Sequence, residues 1–438
     1  MKILLIDATS SFLDFALRCE AEGHEVRVFM GPVKDGSRSK VGDGLLTKVA
    51  HWEDNMKWAD LIMTSDNVKY VRALDGFRAK GFPIFGPSCE TADWELDRSC
   101  GQRILENAGI PTIPSHEFTS YEDASRLVKT SLKRYVSKPS GDADKAMSYV
   151  SKGPADMMYM LEYWKKLGKN KQPFLLQEFI PGIEMAVGGW FGRNGFNDFV
   201  LENFEFKKLM NDDVGVNTGE MGTCMQYVHK DYSELAKQVL LPCEGALHRA
   251  GYTGYVDVAV IIDKQGCAWP LEFTTRPGWP LFQIQQRLHR EPVEWMLDCL
   301  NGKDTFKPYL DTAVGVVMAI PDFPYTTLTK KEVSGFPVWG ITEQNKPSVH
   351  PAEMMAGIAP CLEGGKIKNV PMMVTAGDYV CVASGRAPTI SEAKAKAYKV
   401  VDQLEIPNSP MYRTDIGCRL EKQLPLLQEL GFAKDWEY

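Results

Sequence analysis

Short apolar runs alternate with amphipathic stretches over the first 90 residues of the chain. KILLI (2–6) and HEVRVFM (24–30) have the composition of buried strands, and the stretch between them, 12–22, has helical spacing and ends at a glycine. This alternation predicts a parallel sheet with right-handed helical crossovers. Two more strands of the sheet are predicted at 59–65 and 82–88.

The pattern changes after a predicted helix at 90–108, which ends at the Gly/Pro stop signal AGIP. From there antiparallel strands dominate, which predicts α+β structure. We therefore expect a mixed α/β and α+β protein with a Rossmann-like N-terminal domain (1–110), a central α+β domain (111–312) and a small C-terminal α+β domain (313–438). The later elements are predicted at 134–139, 174–180, 184–191, 198–206, 255–274, 315–320 and 378–385 (strands) and 390–404 (helix).

The composition is that of an ordinary globular protein, with 44% hydrophobic and 24% charged residues. The formal net charge of −7 argues against general nucleic-acid binding, which needs a basic surface. The ten cysteines form no CxxC pair, so we expect neither a disulfide framework nor a zinc site. The start, MKILLIDATSS, does not match a signal peptide, and no apolar stretch approaches the roughly 20 residues of a membrane span. We expect a cytoplasmic enzyme without a membrane partner.

Two carboxylates interrupt the apolar hairpin YVDVAVIIDKQGCAWPLEFT (255–274). If 263–266 forms the turn, Asp257 lies directly opposite Glu272, and Thr274 points to the same face. Opposed carboxylates about 5 Å apart destabilise a sheet unless a cation offsets them, and Mg²⁺ is the simplest such cation. The plainer alternative is that one acid faces solvent or pairs with a nearby basic side chain.

Charged groups at strand ends precede this hairpin. Lys138 ends a strand, and the Gly/Asp-rich segment after it carries Lys145, which could close over phosphates. In LLQEFIPGIEMAV (175–187), backbone groups at 178–180 could contact an adenine edge, and Glu184 could accept ribose hydroxyls. Each feature alone is also typical of an ordinary solvated turn.

The order of these features resembles the ATP-grasp superfamily, in which two α+β subdomains clamp ATP and Mg²⁺ bridges carboxylates to its phosphates. The whole sequence is similar to the phosphoribosylamine–glycine ligase family, and NTGEMG (217–222) is close to that family's N-T-G-G-M-G loop. The resemblance implies an ATP-grasp domain at 111–312 whose mobile lid covers about 112–182. Other similar segments are AGIPTIPSHEFTSYEDA (108–124), KKLMNDDVGVNTGEMG (207–222), YTGYVDVAVIID (252–263) and YRTDIGCRL (412–420).

The resemblance also implies roles for individual residues, with ATP and Mg²⁺ (Mn²⁺ as the alternative metal) as cofactors. The ATP contacts would be Lys138, Lys145, Gln177, Glu178, Ile180, Glu184 and Arg98. The metal ligands would be Asp257, Glu272 and Thr274, and the catalytic residues Arg276, Lys145 and Lys207. The glycine or acceptor side would be lined by Asp213, Asn217, Thr218, Gly219, Met221 and Gly222.

The part of the sequence that would hold the acceptor departs from the family pattern. The family's G-N-G-G-R-E-H loop, which cradles a ribose phosphate, is here DATSSFL (7–13), and this segment also lacks the GxGxxG of dinucleotide sites. Thr274 stands where the family has a metal-binding Asn, and GWPL (278–281) stands where the family has G-D-P-E. Glu220 replaces the second Gly of the family's NTGGMG loop. The ATP half is mostly kept and the acceptor half is rewritten.

We therefore predict an ATP-dependent carboxylate–amine ligase that forms an amide through an acyl phosphate. It would join glycine or another small amino acid to an amine other than phosphoribosylamine, with a modified nucleotide or base among the candidates. One alternative is the authentic phosphoribosylamine–glycine ligase of purine biosynthesis, and the other is an ATP-binding protein without turnover. The expected partners are small molecules, and the expected state is a monomer or a homodimer.

Several aromatic residues allow two interpretations. They could stack on an aromatic acceptor near the cleft, or they could simply belong to the hydrophobic core, which is the more common case for large aromatic side chains. The residues are Trp190, Trp269, Trp279, Tyr227 and Phe282.

Overall fold

The computed structural model describes residues 1–33, 36–139, 148–168, 173–325 and 331–438, so the predicted site residue Lys145 lies outside the described part. The first region contains the predicted parallel sheet, in the order β2-β1-β3-β4. Its strands are β1 (Lys2–Asp7), β2 (Glu25–Met30), β3 (Leu61–Thr64) and β4 (Ile84–Phe85), and its helices are α1 (Leu13–Ala21) and α2 (Val71–Arg78).

The helix predicted at 90–108 is instead two helices, α3 (Cys89–Leu96) and α4 (Arg98–Asn107). Asp97 separates them because it adopts an extended conformation and its carboxylate accepts hydrogen bonds from the backbone amides of Ser99 and Cys100. An Asp N-cap of this kind starts a new helix. The break places Arg98 at the first turn of α4, where it faces the central region.

A four-stranded antiparallel sheet, in the order β5-β8-β6-β7, forms the predicted lid with two helices on it. Its own small core includes Tyr135, Leu161, Trp164 and Phe174. The elements are β5 (Ser115–Phe118), α5 (Tyr121–Ser131), β6 (Tyr135–Pro139), β7 (Tyr149–Val150), α6 (Pro154–Lys166) and β8 (Phe174–Glu178).

An eight-stranded sheet, in the order β15-β14-β9-β10-β13-β16-β20-β17, forms the centre of the molecule. It runs across the boundary predicted near 312, because β16 pairs with β13 on one side and β20 on the other. The elements up to that boundary are β9 (Ile183–Gly192), β10 (Gly195–Glu205), β11 (Lys208–Met210), β12 (Val214–Asn217), β13 (Gly222–His229), α7 (Glu244–Arg249), β14 (Gly254–Ile262), β15 (Ala268–Thr274), α8 (Leu281–Gln285) and α9 (Glu294–Leu300).

The C-terminal region adds three strands to this sheet and a separate two-stranded ribbon, β18-β19, which the sequence pattern did not predict. Within the described residues, no helix is both long and apolar enough to cross a bilayer. The elements are β16 (Thr312–Ala319), β17 (Val349–Pro351), β18 (Met354–Glu363), β19 (Lys366–Thr375), β20 (Tyr379–Ala387), α10 (Ile390–Val401) and α11 (Leu420–Glu429).

The predicted register of the β14–β15 hairpin is wrong, although its carboxylates do share a face. Asp257 pairs with Thr274, and Glu272 pairs with Ala259 two positions away. The ladder shifts because Pro270 has no amide proton, and the strand bulges so that Leu271 has no partner. The two acids are therefore diagonal neighbours rather than directly opposed.

The aromatic residues that could have stacked on an acceptor belong mainly to the core. Trp190, Tyr227 and Phe282 are buried, and the Trp190 indole donates to the Tyr227 hydroxyl at 2.9 Å. Trp279 is partly buried and packs on Tyr379, with ring centroids 5.0 Å apart.

Candidate active site

Three cations surround Glu272 in a cleft between α4, the lid and the central sheet. Arg98 forms a salt bridge with the Glu272 carboxylate, and both side chains remain about a quarter to a third exposed (26% and 33%). Burial favours the protonated acid, but Arg98, Lys207 and Lys138 together hold the pKa of Glu272 well below its usual value. Glu272 is thus a permanent anion at the edge of an accessible cleft.

Lys138 reaches this cleft from the end of β6. Its ammonium donates to the Leu271 carbonyl at 3.2 Å, which the bulge frees from the sheet ladder, and this is its one hydrogen bond among the described residues. Desolvation lowers the pKa of Lys138 to about 8, although Glu272 partly offsets this. An ammonium with two free protons in a cleft is suited to bind an anion such as a phosphate.

Lys207 lies between two acids on the opposite wall. It forms salt bridges with Glu184 and, at 3.0 Å, with Glu205. Burial opposes its charge, but Glu184, Glu205 and Glu272 raise the pKa of Lys207 well above its usual value. The structure therefore brings the predicted catalytic Lys207 into contact with the predicted ribose ligand Glu184, and adds Glu205, which the sequence reasoning missed.

The segment 177–180, predicted to contact adenine, has two of its backbone amides already engaged. Glu178 donates to the Pro114 carbonyl and Phe179 to the Arg134 carbonyl, each at 2.9 Å. Among the described residues, the Ile180 amide and carbonyl have no hydrogen-bond partner. Ile180 therefore keeps the donor–acceptor pair that an adenine edge requires.

The side chains of this segment have structural partners. Gln177 is buried and its amide donates to the Ser115 hydroxyl at 3.2 Å. Glu178 pairs with Lys133 at 2.6 Å. Both contacts lie within the lid, so they fix the backbone of the segment rather than reach into the cleft.

Arg276 is held by an acid from the N-terminal region. Its guanidinium donates to Glu95 of α3 at 2.9 Å, and the same carboxylate accepts from Thr275 and Asn67. Arg276 is therefore fixed beside the cleft by Glu95, a residue that no local sequence pattern marks.

Asp257 and Glu220 are two further buried acids near Lys207. The Asp257 carboxylate accepts from the Tyr255 hydroxyl at 3.1 Å and from the Asn203 amide at 3.2 Å, and burial with Glu205 nearby raises its pKa to about 7. Burial, followed by the charge of Glu205, also raises the pKa of Glu220 well above its usual value. The segment 217–222, predicted to line the acceptor side, thus carries a buried carboxyl at Glu220, where the resemblance implies a glycine.

Some of the residues at 213–222, which are predicted to line the substrate side, are exposed, and others are buried in the core. Thr218 donates to the Lys207 carbonyl through both its amide (2.8 Å) and its hydroxyl (2.9 Å), and Asn217 and Gly219 are exposed. Met221 is fully buried, and an added Cβ at Gly222 would lie 2.5 Å from the Gly315 carbonyl. These last two residues are packing positions of the sheet.

Asp213 belongs to an ion-pair cluster that joins this segment to the C-terminal region. It accepts from Arg413 at 2.8 Å and Arg419 at 2.9 Å, and Arg413 also makes a bidentate pair with Asp415. The Arg413 side chain is 1% exposed. Asp213 therefore has a structural partner on each carboxylate oxygen, and its contact with a substrate stays a prediction.

Arg413→Met is expected to lower the free energy of unfolding by about 2–3 kcal/mol, because it leaves Asp415 without its cation and Asp213 with Arg419 alone. Urea denaturation measures this change. Arg126→Met, which removes an exposed arginine paired with Asp123, is the matched control and should change it by less than about 0.5 kcal/mol. Equal effects in the two variants would contradict the structural role of the cluster.

The loop 7–12 folds around the buried carboxylate of Asp7. That carboxylate accepts hydrogen bonds from the amides of Thr9 (3.2 Å), Ser11 (3.0 Å) and Phe12 (2.8 Å). The Ala8 amide donates to the Ser65 hydroxyl at 3.1 Å. Burial raises the pKa of Asp7, and these hydrogen bonds partly offset the rise. Four amides at the carboxyl end of β1 are therefore engaged within the protein.

The residues of the cleft fit Mg²⁺ and a nucleotide. Glu272 offers one accessible carboxylate, with Thr274 beside it on the same face, and Mg²⁺ is commonly held by one or two carboxylates plus substrate phosphates. Among the described residues, no cluster of three or more His, Cys, Asp or Glu side chains could hold a metal alone. The phosphates would thus complete the metal shell, with Lys138 and Arg98 balancing their charge.

Residues 97–280 match the family model "Phosphoribosylglycinamide synthetase, ATP-grasp (A) domain". A phosphoribosylamine–glycine ligase of Ralstonia nicotianae is 27% identical over 362 residues, which cover 79% of this chain and 81% of that protein. The chain is an ATP-grasp carboxylate–amine ligase similar to phosphoribosylamine–glycine ligase. The predicted superfamily and enzyme class are thereby confirmed.

Solved structures show the same fold for this ATP-grasp ligase. The crystal structure of a phosphoribosylamine–glycine ligase from Thermotoga maritima aligns with 95% of this chain over 100% of its own length. The TM-score is 0.72 and the sequence identity is 20%. The biotin carboxylase domain of Hydrogenobacter thermophilus 2-oxoglutarate carboxylase covers 94% and 91%, with a TM-score of 0.60 and 14% identity. That domain was crystallised with MgADP.

Proposed function

We propose that this ligase joins glycine or another small amino acid to an amine acceptor other than phosphoribosylamine. The observation that carries the proposal is the Asp7 loop. A glycine-rich loop at the end of the first strand can bind a phosphate through free backbone amides. Here the amides of Ala8, Thr9, Ser11 and Phe12 already donate to protein groups, and a buried carboxylate occupies the centre of the loop.

Electrostatics support the same proposal. A phosphate placed at this loop would lie close to the Asp7 carboxylate. It would also lack the free backbone amides that normally stabilise a bound phosphate. The acceptor loop adds a second buried acid, Glu220. The Asp7 loop disfavours a phosphorylated acceptor, whereas burial raises the pKa of Glu220 and favours its neutral form, so Glu220 adds a side chain rather than a charge.

The reaction that we propose has two steps. A carboxylate oxygen attacks the γ-phosphorus of ATP, which releases ADP and forms an acyl phosphate. The amine then attacks the acyl carbon, phosphate leaves, and the amine loses a proton to give the amide. Bound Mg²⁺ would neutralise the phosphate charge. Of its three predicted ligands, Glu272 and Thr274 lie at the cleft, and Asp257 is buried and hydrogen-bonded to Tyr255 and Asn203.

The protein residues would position the substrates and stabilise charge. Lys138 and Arg98 would hold the phosphates, and Arg276, fixed by Glu95, would stabilise the transferring phosphoryl group. Lys207, held by Glu184 and Glu205, would line the acceptor or glycine side. Closure of the lid would keep water from the acyl phosphate.

The first experiment is ADP release with Mg²⁺, ATP and glycine against a panel of amines. The panel contains phosphoribosylamine, unphosphorylated ribosylamine, aminated nucleosides and simple alkyl amines. We expect release with an uncharged or cationic amine, and at least about tenfold less with phosphoribosylamine. Release with phosphoribosylamine alone, with glycinamide ribonucleotide as the product, would show the authentic purine-biosynthetic enzyme instead.

The remaining predictions concern the partners, the oligomeric state and the cellular location of the protein. Small molecules are the partners that this enzyme class uses, and the proposal adds no macromolecular partner. The oligomeric state, a monomer or a homodimer, and the cytoplasmic location stay predictions. Size-exclusion chromatography with light scattering tests the first, and fractionation of cells expressing the tagged chain tests the second.

A further inference from the structure

The β18–β19 ribbon carries a face of exposed and mostly apolar side chains. Alternate residues of a strand share a face, and the cross-strand pairs of the ribbon bring three residues of each strand together on one side. Ile358, Leu362 and Ile367 are 72%, 72% and 78% exposed. The full set, called the ribbon face below, is Ile358, Pro360 and Leu362, with Pro371, Asn369 and Ile367 opposite them, and all six are exposed.

The other side of the ribbon rests on the protein. At the same level of the ribbon, Ala359 is buried and Val370 is half-buried. The Trp339 indole donates to the Pro360 carbonyl at 2.9 Å, which fixes the ribbon to the C-terminal region. A two-stranded ribbon gains most of its stability from packing, so a partner that covers the exposed side would stabilise it further. The ribbon face is therefore a surface that is held open and available to a partner.

The charges of the ribbon favour a second copy of the chain as that partner. None of the six residues of the ribbon face, all within the described part of the chain, is charged, and the tip residues Glu363, Lys366 and Lys368 lie on the opposite side. An uncharged face offers no electrostatic attraction to an acidic or a basic partner. Two copies that each carry a net charge of −7 repel one another, so they associate best where no charges meet.

The residue pattern of the ribbon face is also self-complementary. Two ribbons stacked face to face in opposite directions are related by a twofold axis that crosses the central pair, Pro360 and Asn369. The apolar pair Leu362–Ile367 at the tip of each copy then covers the apolar pair nearer the base of the other. Asn369 lies near the axis and opposite Asn369 of the second copy, where each amide can donate to and accept from the other.

We propose that the chain forms a homodimer through the ribbon face, with the two ribbons antiparallel. Six exposed side chains offer on the order of 500 Å² per copy, and the pair about 1,000 Å², which is the low end of specific protein interfaces. An area of this size gives a weak association, with an expected Kd of about 10–100 µM. The inference does not depend on the substrates of the ligase.

Sedimentation-velocity ultracentrifugation of the full-length protein, from about 1 to 300 µM, tests the dimer. Leu362→Asp should raise the dimer Kd at least about tenfold, because it places carboxylates in an apolar contact. Leu132→Asp is the matched control and should leave the Kd unchanged, since Leu132 is 73% exposed but lies in the lid. A wild-type monomer at every concentration, or equal effects of the two substitutions, would overturn the proposal.

Opposite charges at Asn369 test the twofold axis. Asn369→Asp and Asn369→Lys should each raise the Kd at least about tenfold, because like charges would meet at the axis. An equimolar mixture of the two variants should recover the dimer with a Kd within about threefold of wild type, because opposite charges then meet. Both substitutions lie at an exposed position, so the unfolding temperature should stay that of wild type. A mixture that remains monomeric would overturn the antiparallel arrangement.

Discussion

In Glu272→Gln, ADP release is expected to fall at least about 100-fold, the usual cost of losing a metal ligand or a single strong electrostatic contact at a reaction centre. The neutral amide keeps the shape of the side chain but cannot neutralise Arg98, Lys138 and Lys207, all of which act on the Glu272 carboxyl. The loss should appear mainly in kcat at saturating ATP, measured by coupled ADP release.

The matched control for Glu272 is an ion-paired acid elsewhere in the molecule. Asp311 pairs with Arg386 at 3.2 Å, and its side chain is 35% exposed, close to the 33% of Glu272. Asp311→Asn should leave ADP release within about twofold of wild type, since exposed pairs contribute little. A Glu272 variant with near-normal kcat would contradict the assignment of the metal and phosphate site to the surroundings of Glu272.

The affinity for ADP is expected to fall as the pH rises above about 8, because Lys138 loses its proton near that value. Bound phosphates favour the ammonium form, so binding above the pKa requires proton uptake. The apparent Kd should then rise by up to about tenfold per pH unit between about pH 8 and 9.5, and be flat just below pH 8. Fluorescence or calorimetric titration with MgADP measures this profile.

Lys138→Arg tests the assignment of that profile, because arginine stays charged throughout this pH range. The variant should bind ADP with a Kd that changes less than about threefold over the same range. Lys48 is the matched control, since burial also lowers its pKa but it pairs with Asp43 in the N-terminal region. Lys48→Arg should keep the wild-type pH profile. A wild-type profile that stays flat to pH 9.5 would contradict a lysine of lowered pKa at the phosphates.

The sequence pattern predicts the elements of the fold well, but not the places where a local feature interrupts them. Most apolar strands of the two main sheets lie close to their predicted positions, because burial on both faces gives a strong signal, but β13 and β17 of the central sheet were not predicted. The helix break at Asp97 and the bulge at Leu271 depend on one cap and one proline, which periodicity does not detect. These two interruptions place Arg98 and the Leu271 carbonyl at the site.

The candidate site is predictable to the extent that its residues share an element. Glu272 and Thr274 lie on one face because strands have a period of two. The pairing of Glu95 with Arg276 joins distant parts of the chain, and only the packing of separate regions reveals it. The pairing of Lys207 with Glu184 depends on how the neighbouring strands β9 and β10 are aligned, which the sequence pattern does not show. The Asp7 loop shows the same limit, since the lost glycines were visible but the carboxylate-centred replacement was not.

Hydroxylamine trapping tests most directly whether this chain activates a carboxylate with ATP. Hydroxylamine intercepts an acyl phosphate as a hydroxamate, so the natural amine need not be known. With Mg²⁺, ATP and a panel of small amino acids that includes glycine, we predict equal amounts of ADP and hydroxamate for at least one amino acid, and neither product with Glu272→Ala. Bound ATP without ADP or hydroxamate for any amino acid would contradict the account and indicate a nucleotide-binding protein without turnover.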